Sequence, residues 1–189
     1  MLQRGESGQA MKKLLPYKRV LLKLSGEILQ GSQPFGINQE ACYSIAESIK
    51  NLRDAGLEVG VVIGGGNIFR GTSLRFKGFQ RTPIDQVGML ATLMNGVALQ
   101  QALEAIQCPA KVLTALECPR VAETYTWSKA LDYLSSGHVL VFVGGTGKRR
   151  TSVTSAIACA SSAGVSLGWL TDARFASLRA HNACRRGRR

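Results

Sequence analysis

Apolar residues follow two rhythms along this chain. Val20 to Leu24 and Val59 to Ile63 are short runs interrupted only by Lys23 and Gly60, the pattern of strands covered on both faces. Between them Ala41, Ile45, Ile49 and Leu52 recur every three or four positions, the period of a helix with one buried side. Asn38, with Glu40 in the first turn, gives that helix a start signal, and Gly56 gives it a stop. Strand, helix and strand make a βαβ unit, which requires parallel pairing across a crossover.

The same reading continues downstream. Gly26 ends the first strand, and Gly31 to Gly36 makes a surface loop. Residues 70 to 83 have no clear period and read as a mobile loop over a site. Asp85 then opens a long helix whose buried stripe is Val87, Leu90, Met94, Val97, Ala98 and Leu103, with Gly88 and Gly96 allowing close approach of another backbone. Lys111 to Thr114 predicts a third strand, Thr126 caps a short helix through Leu134, and His138 to Val143 predicts a fourth strand. The fold class is α/β.

Length, charge and cysteines refine this picture. At 189 residues one domain is the default. The apolar runs fall well short of the roughly 20 residues of a membrane span, and the first 16 residues read as a disordered leader, too polar for a secretory signal, so a soluble cytoplasmic protein is expected. Cys42, Cys108, Cys118, Cys159 and Cys184 are scattered and never form a CxxC pair, which suits ordinary thiols rather than a disulfide framework or zinc site. The net charge of +12 sits largely in residues 148 to 189, where nine Lys or Arg face one acid. That tail has two aromatics, Trp169 and Phe175, among its nine cations and makes a weak nucleic-acid arm.

The candidate chemistry lies in the glycine turns. Strands that run into Lys23-Leu24-Ser25-Gly26 and Gly64-Gly65-Gly66 can aim backbone N–H groups at an anion, because residues without Cβ permit close approach. Lys23 and Arg70 add full positive charge, and Gly144-Gly145-Thr146-Gly147 is a third such turn. Neither a GxxxxGK[ST] loop nor a GxGxxG dinucleotide fingerprint is present. In an open parallel sheet, ligands bind beyond the carboxyl ends of the strands, where all three turns should lie.

Taken together, these segments resemble the bacterial uridylate (UMP) kinases of the amino acid kinase superfamily. The residues that carry the resemblance are Lys23-Leu24-Ser25-Gly26-Glu27, the loop Gly31 to Gly36, Gly64-Gly65-Gly66-Asn67 with Arg70-Gly71, Asp85 with Gly88-Met89-Leu90-Ala91-Thr92, Asn95-Gly96, and Gly145-Thr146-Gly147. The resemblance covers about residues 17 to 147 and implies a three-layer αβα sandwich with a mainly parallel sheet. It implies ATP-dependent phosphorylation of UMP to UDP in pyrimidine nucleotide (CTP) biosynthesis, with Mg2+ carried by ATP and no protein metal site. By resemblance, Lys23 and Arg70 are catalytic, and Lys23, Leu24, Ser25, Gly26, Gly66 and Arg70 contact ATP. Gly65, Asp85, Thr146 and Gly147 contact UMP. The segment Gly31, Ser32, Gln33, Pro34, Phe35 and Gly36 matches a region linked to GTP control. The resemblance further implies a homohexamer with GTP as activator and UTP as inhibitor, and no membrane partner.

The same residues also admit plainer structural readings. Lys23 could be a solvent-facing edge-strand lysine, Asp85 only a helix cap, His138 a strand-end residue, and Met89, Leu90 and Met94 core. A related kinase acting on a carboxylate is a weaker match, since the Asp85 segment resembles a nucleotide acceptor site. After Gly147 the family pattern of Pro, two aromatics, two hydroxyl residues and an Asp gives way to Lys148-Arg149-Arg150-Thr151-Ser152-Val153-Thr154. The tail, rich in Ala, Arg and Ser, resembles out-of-frame translation, and one permitted codon choice reads Thr-Pro-Tyr-Phe-Ser-Asp in a shifted frame. The expected organisation is therefore a leader at 1–16, an N-terminal lobe at 17–147 and a basic tail at 148–189 that is not natively folded. The fold then reads as C-terminally truncated, and the alternative function is an inactive nucleotide-binding remnant or regulatory subunit.

Overall fold

A computed structural model describes residues 18–69 and 81–145. The expected leader and basic tail lie outside the described residues, as does most of the expected 70–83 loop. Among the described residues, five strands form one sheet: β1 (Arg19–Leu24), β2 (Glu58–Ile63), β3 (Ala110–Thr114), β4 (Glu123–Thr124) and β5 (Val139–Val143). Their order is β1-β2-β5-β3-β4, and every neighbouring pair is parallel. Three helices connect them: α1 (Gln39–Asp54), α2 (Arg81–Ala105) and α3 (Trp127–Ser135), with a 3-10 turn at Gly26–Leu29.

Alternation along each strand sorts the core into two layers. Leu22 and Leu24 of β1, Val61 and Ile63 of β2, and Val141 and Val143 of β5 pack with Ile45 and Ile49 of α1 and Leu99 and Leu103 of α2. Leu21, Val62, Leu140 and Phe142 face the other way, onto Ala130 and Leu134 of α3. This is the expected αβα sandwich, and it explains the continuous apolar runs, because both sides of each central strand are covered.

The predicted caps hold. Asn38 Oδ1 accepts from the Ala41 amide at 2.9 Å, and Thr126 Oγ1 accepts from Lys129 at 3.4 Å. At the other end of α1, Gly56 takes φ +89°, the Leu57 amide donates to Leu52 O, and the Gly56 amide donates to Arg53 O. This paired reversal repeats after α3 at Gly137 and after α2, where Gln107 adopts φ +59°.

Helix α2 differs from expectation in two ways. It begins at Arg81, so Asp85 sits in the second turn and is not its cap, and Pro83 falls within the first turn, where a missing N–H costs nothing. The buried face is also rotated: Ala91, Leu93, Leu99, Ala102 and Leu103 are buried, whereas Val87, Leu90 and Met94 are 44%, 48% and 55% exposed. Apolar residues surround this helix, so spacing alone could not choose the inner face. Gly96 does allow close packing, against the side chains of Val143, Val112 and Val141, but a Cβ at Gly88 would meet nothing within 4 Å.

Candidate functional site: three glycine turns on adjacent strands

Strands β1, β2 and β5 are neighbours, and each runs at its carboxyl end into a glycine turn. Gly26, Gly64 to Gly66, and Gly144 with Gly145 are thereby brought to one edge of the sheet, as the sequence predicts. Lys23 is paired in register with Val62, on the α3 side of β1, and its side chain is exposed beside the first turn. It is therefore an exposed edge-strand lysine, the solvent-facing reading of this position.

The turns are locked to one another by short-range contacts. The Gly64 amide donates to Leu24 O at 3.0 Å, joining the first two turns, and is therefore committed internally rather than presented to an anion. The Gly144 amide donates to Thr92 Oγ1 at 2.9 Å, joining the third turn to α2. Gly65 is a glycine for packing reasons: a Cβ there would stand 2.8 Å from Ala91 Cβ and 3.1 Å from both Gly88 O and Thr92 N. Gly66 has more room, the nearest atom to its notional Cβ being Glu27 Oε1 at 3.9 Å.

Ser25 caps the 3-10 turn, its Oγ accepting from the Glu27 amide at 3.4 Å, and Gly26 is buried behind it. The 31–36 loop is exposed apart from half-buried Gly36, with the Phe35 ring 73% exposed. Asp85 is half-buried on α2. Arg70, Thr146 and Gly147 lie outside the described residues.

Asn67, Asn95 and Thr92 carry no role in the sequence pattern beyond their place in it, yet these three hold the turns together. The available signal was chemical: Asn95 interrupts an apolar helix, where a side-chain amide must find buried partners. Other polar residues fall away from the site. His138 directly precedes β5, at the opposite end of that strand from Gly144, with Nδ1 3.0 Å from Ser136 Oγ. Burial raises the Cys42 and Cys108 thiols above their ordinary range, which leaves them protonated and inert. Among the described residues, no group of three or more His, Cys, Asp or Glu is placed to hold a metal ion, and no helix is long and apolar enough to cross a membrane.

Comparison with known proteins gives this arrangement a lineage. The amino acid kinase family model matches residues 18–173. A uridylate kinase of Protochlamydia amoebophila is 58% identical over 130 residues, covering 69% of this chain and 52% of that protein. One of Brucella anthropi is 48% identical over 142 residues, covering 75% and 59%. The chain thus spans about half the length of the curated relatives it matches. Among solved structures, UMP kinase from Bacillus anthracis superposes with a TM-score of 0.74 at 34% identity, covering 79% of this chain and 62% of that one. UMP kinase from Ureaplasma parvum gives 0.74 at 28% identity, covering 81% and 66%. With its parallel sheet, its two helical layers and its strand-end glycine turns, the chain belongs to the amino acid kinase family.

Proposed function

We propose that this chain is a UMP kinase lobe that transfers the γ-phosphoryl group of ATP to UMP, giving UDP and ADP for pyrimidine nucleotide synthesis. The observation that supports this most directly is the convergence of three glycine turns and an exposed lysine at the carboxyl ends of adjacent strands. In the reaction a UMP phosphate oxygen forms a bond to the γ-phosphorus while the bridging bond to the β-phosphate breaks, and ADP leaves with that electron pair. Such a transfer needs positioning and neutralisation of spreading negative charge more than it needs a protein nucleophile. Lys23 and Arg70 supply the charge; Leu24, Ser25, Gly26 and Gly66 line the ATP phosphates; Gly65, Asp85, Thr146 and Gly147 hold UMP. Mg2+ enters with ATP as part of the substrate.

The finer assignments belong to the same proposal. Residues 17–147 act as the nucleotide-handling lobe in the cytoplasm, the loop from Gly31 to Gly36 receives GTP as activator, and UTP inhibits. The chain self-associates into a homohexamer, a reading supported by the exposed apolar row of Val87, Leu90 and Met94 on α2.

The test is UMP-dependent release of ADP from ATP. Lys23→Met should lower turnover by about two orders of magnitude or more, as expected for loss of a charge that acts on the transferring group. Its stability should change by less than about 0.5 kcal/mol, because the side chain is exposed. Nucleotide binding without any turnover in the unmodified chain would instead identify a non-catalytic binding subunit.

A further inference from the structure

A primary amide carries two N–H donors and a carbonyl acceptor, and burying one is costly unless these groups are partnered. Asn67 and Asn95 are 2% and 0% exposed. They bond to each other twice: Asn67 Nδ2 donates to Asn95 Oδ1 at 3.0 Å, and Asn95 Nδ2 donates to Asn67 Oδ1 at 2.7 Å. Each Nδ2 also reaches a backbone carbonyl, Asn95 that of Gly64 at 2.7 Å and Asn67 that of Gly36 at 2.8 Å. The Gly36 amide returns a bond to Asn67 O at 2.8 Å. The first turn rests on the same pair, since a Cβ at Gly26 would stand 2.4 Å from Asn67 Oδ1 and 2.9 Å from Asn95 Nδ2.

Two features separate this pair from ordinary core polarity. Its outer bonds end on two different functional candidates, the 31–36 loop and the Gly64 to Gly66 turn. The loop itself is exposed except near Gly36 and Asn38, so the Asn67 contacts are a principal anchor between it and the turn.

We propose that Asn67 and Asn95 are positioning residues, an amide relay through which the conformation of the 31–36 loop sets the geometry of the phosphate turn. A ligand that moves Gly36 changes the acceptor of Asn67, which shifts Asn95 and with it the Gly64 carbonyl. The proposal rests on reading the Gly64 to Gly66 turn as a phosphate site, but the relay itself can be tested without nucleotide.

The experiment is amide hydrogen exchange on the full chain. Asn95→Ala removes the bond to Gly64 and makes no direct hydrogen-bond change in the loop. In this variant the segment containing Gly36 should exchange about tenfold faster, while segments of β3 and β5 stay within about twofold of the unmodified protein. An unchanged Gly36 segment, or equal acceleration everywhere, would overturn the relay. Gly36→Ala approaches from the other side. Its φ of +90° strains any side chain while nothing lies within 4 Å of the new Cβ, so only the loop is perturbed.

In Gly36→Ala the segment from Gly64 to Phe69 should exchange about tenfold faster, and this arm decides the matter if Asn95→Ala fails to fold. The double variant should be no faster than the faster single one, because both break one relay, whereas additive effects would mean two independent structural losses and no coupling. Lack of UMP-dependent ADP release by the unmodified chain would count against the kinase reading alone.

Discussion

Thr92 Oγ1 joins two backbones: it donates to Met89 O at 2.7 Å and accepts from the Gly144 amide at 2.9 Å, fixing the third glycine turn to the helix that carries Asp85. Gly144 holds φ +75° with Thr114 Oγ1 2.8 Å from where its Cβ would be, so the turn has little freedom to compensate. Thr92→Val should therefore cost about 1–2 kcal/mol by leaving a partly buried amide unpaired, whereas Thr92→Ser should stay within about 0.5 kcal/mol. Urea unfolding of the two variants measures the difference.

Gly96 marks the closest approach of α2 to β5. A Cβ there would lie 2.5 Å from Val143 Cγ1, in a β-branched residue with few rotamers to escape into. Gly96→Ala should lose about 2–3 kcal/mol despite alanine's better helix propensity. Combined with Val143→Ala it should be rescued: the double variant should be more stable than the summed single losses by at least about 1 kcal/mol. Simple additivity would refute the contact.

The outer corner of the sheet is electrostatic. Glu58 is paired across β1 and β2 with Arg19 and lies 2.9 Å from Lys18 Nζ. Burial pushes its carboxyl up, but hydrogen bonds and charge from Arg19 and Lys18 outweigh burial and hold it below the ordinary carboxylate value. A carboxyl depressed in the folded state stabilises the fold above its unfolded pKa, about 4.3, and loses that contribution as pH falls through the lower folded value. Thermal melts at descending pH should thus show an acid destabilisation that is smaller in Glu58→Gln than in the unmodified protein. Identical pH profiles would refute the assignment.

The exposed row on α2 makes a separate prediction. Leu90→Glu together with Met94→Glu should leave the melting temperature within about 4 °C, since neither side chain is buried in the single chain. The same change should shift the sedimentation coefficient to a smaller species if that row is where copies meet. An unchanged sedimentation profile would remove α2 from the assembly.

The parts of the fold legible in the sequence were those written in local chemistry. Val59 to Ile63, Asn38, Gly56 and Thr126 each carry their own signal of period, cap or stop, and each stands where it was expected. The start and facing of α2 were not legible, because a helix with apolar residues all round has no distinguishable inner side until its neighbours are known. The two-residue strand β4 is too short for any period. Lys23 and the three turns were legible as a pattern, but the Asn67 to Asn95 bridge spans 28 positions and exists only once α2 packs on the turn.

The sheet order has a consequence for assembly of the molecule during synthesis. β5, later in the chain than every other described strand, lies between β2 and β3. The first two strands can pair as soon as they emerge, and β3 can pair with β4, but the two halves share no edge until residues 139–143 have been made. Until then β2 and β3 each present an apolar, unpaired margin, the kind of surface that chaperones hold and that misassociates when crowded. Insertion of the Val139-Leu140-Val141-Phe142-Val143 wedge is thus the step that turns two ribbons into one sheet, and slow translation ahead of it prolongs the vulnerable interval.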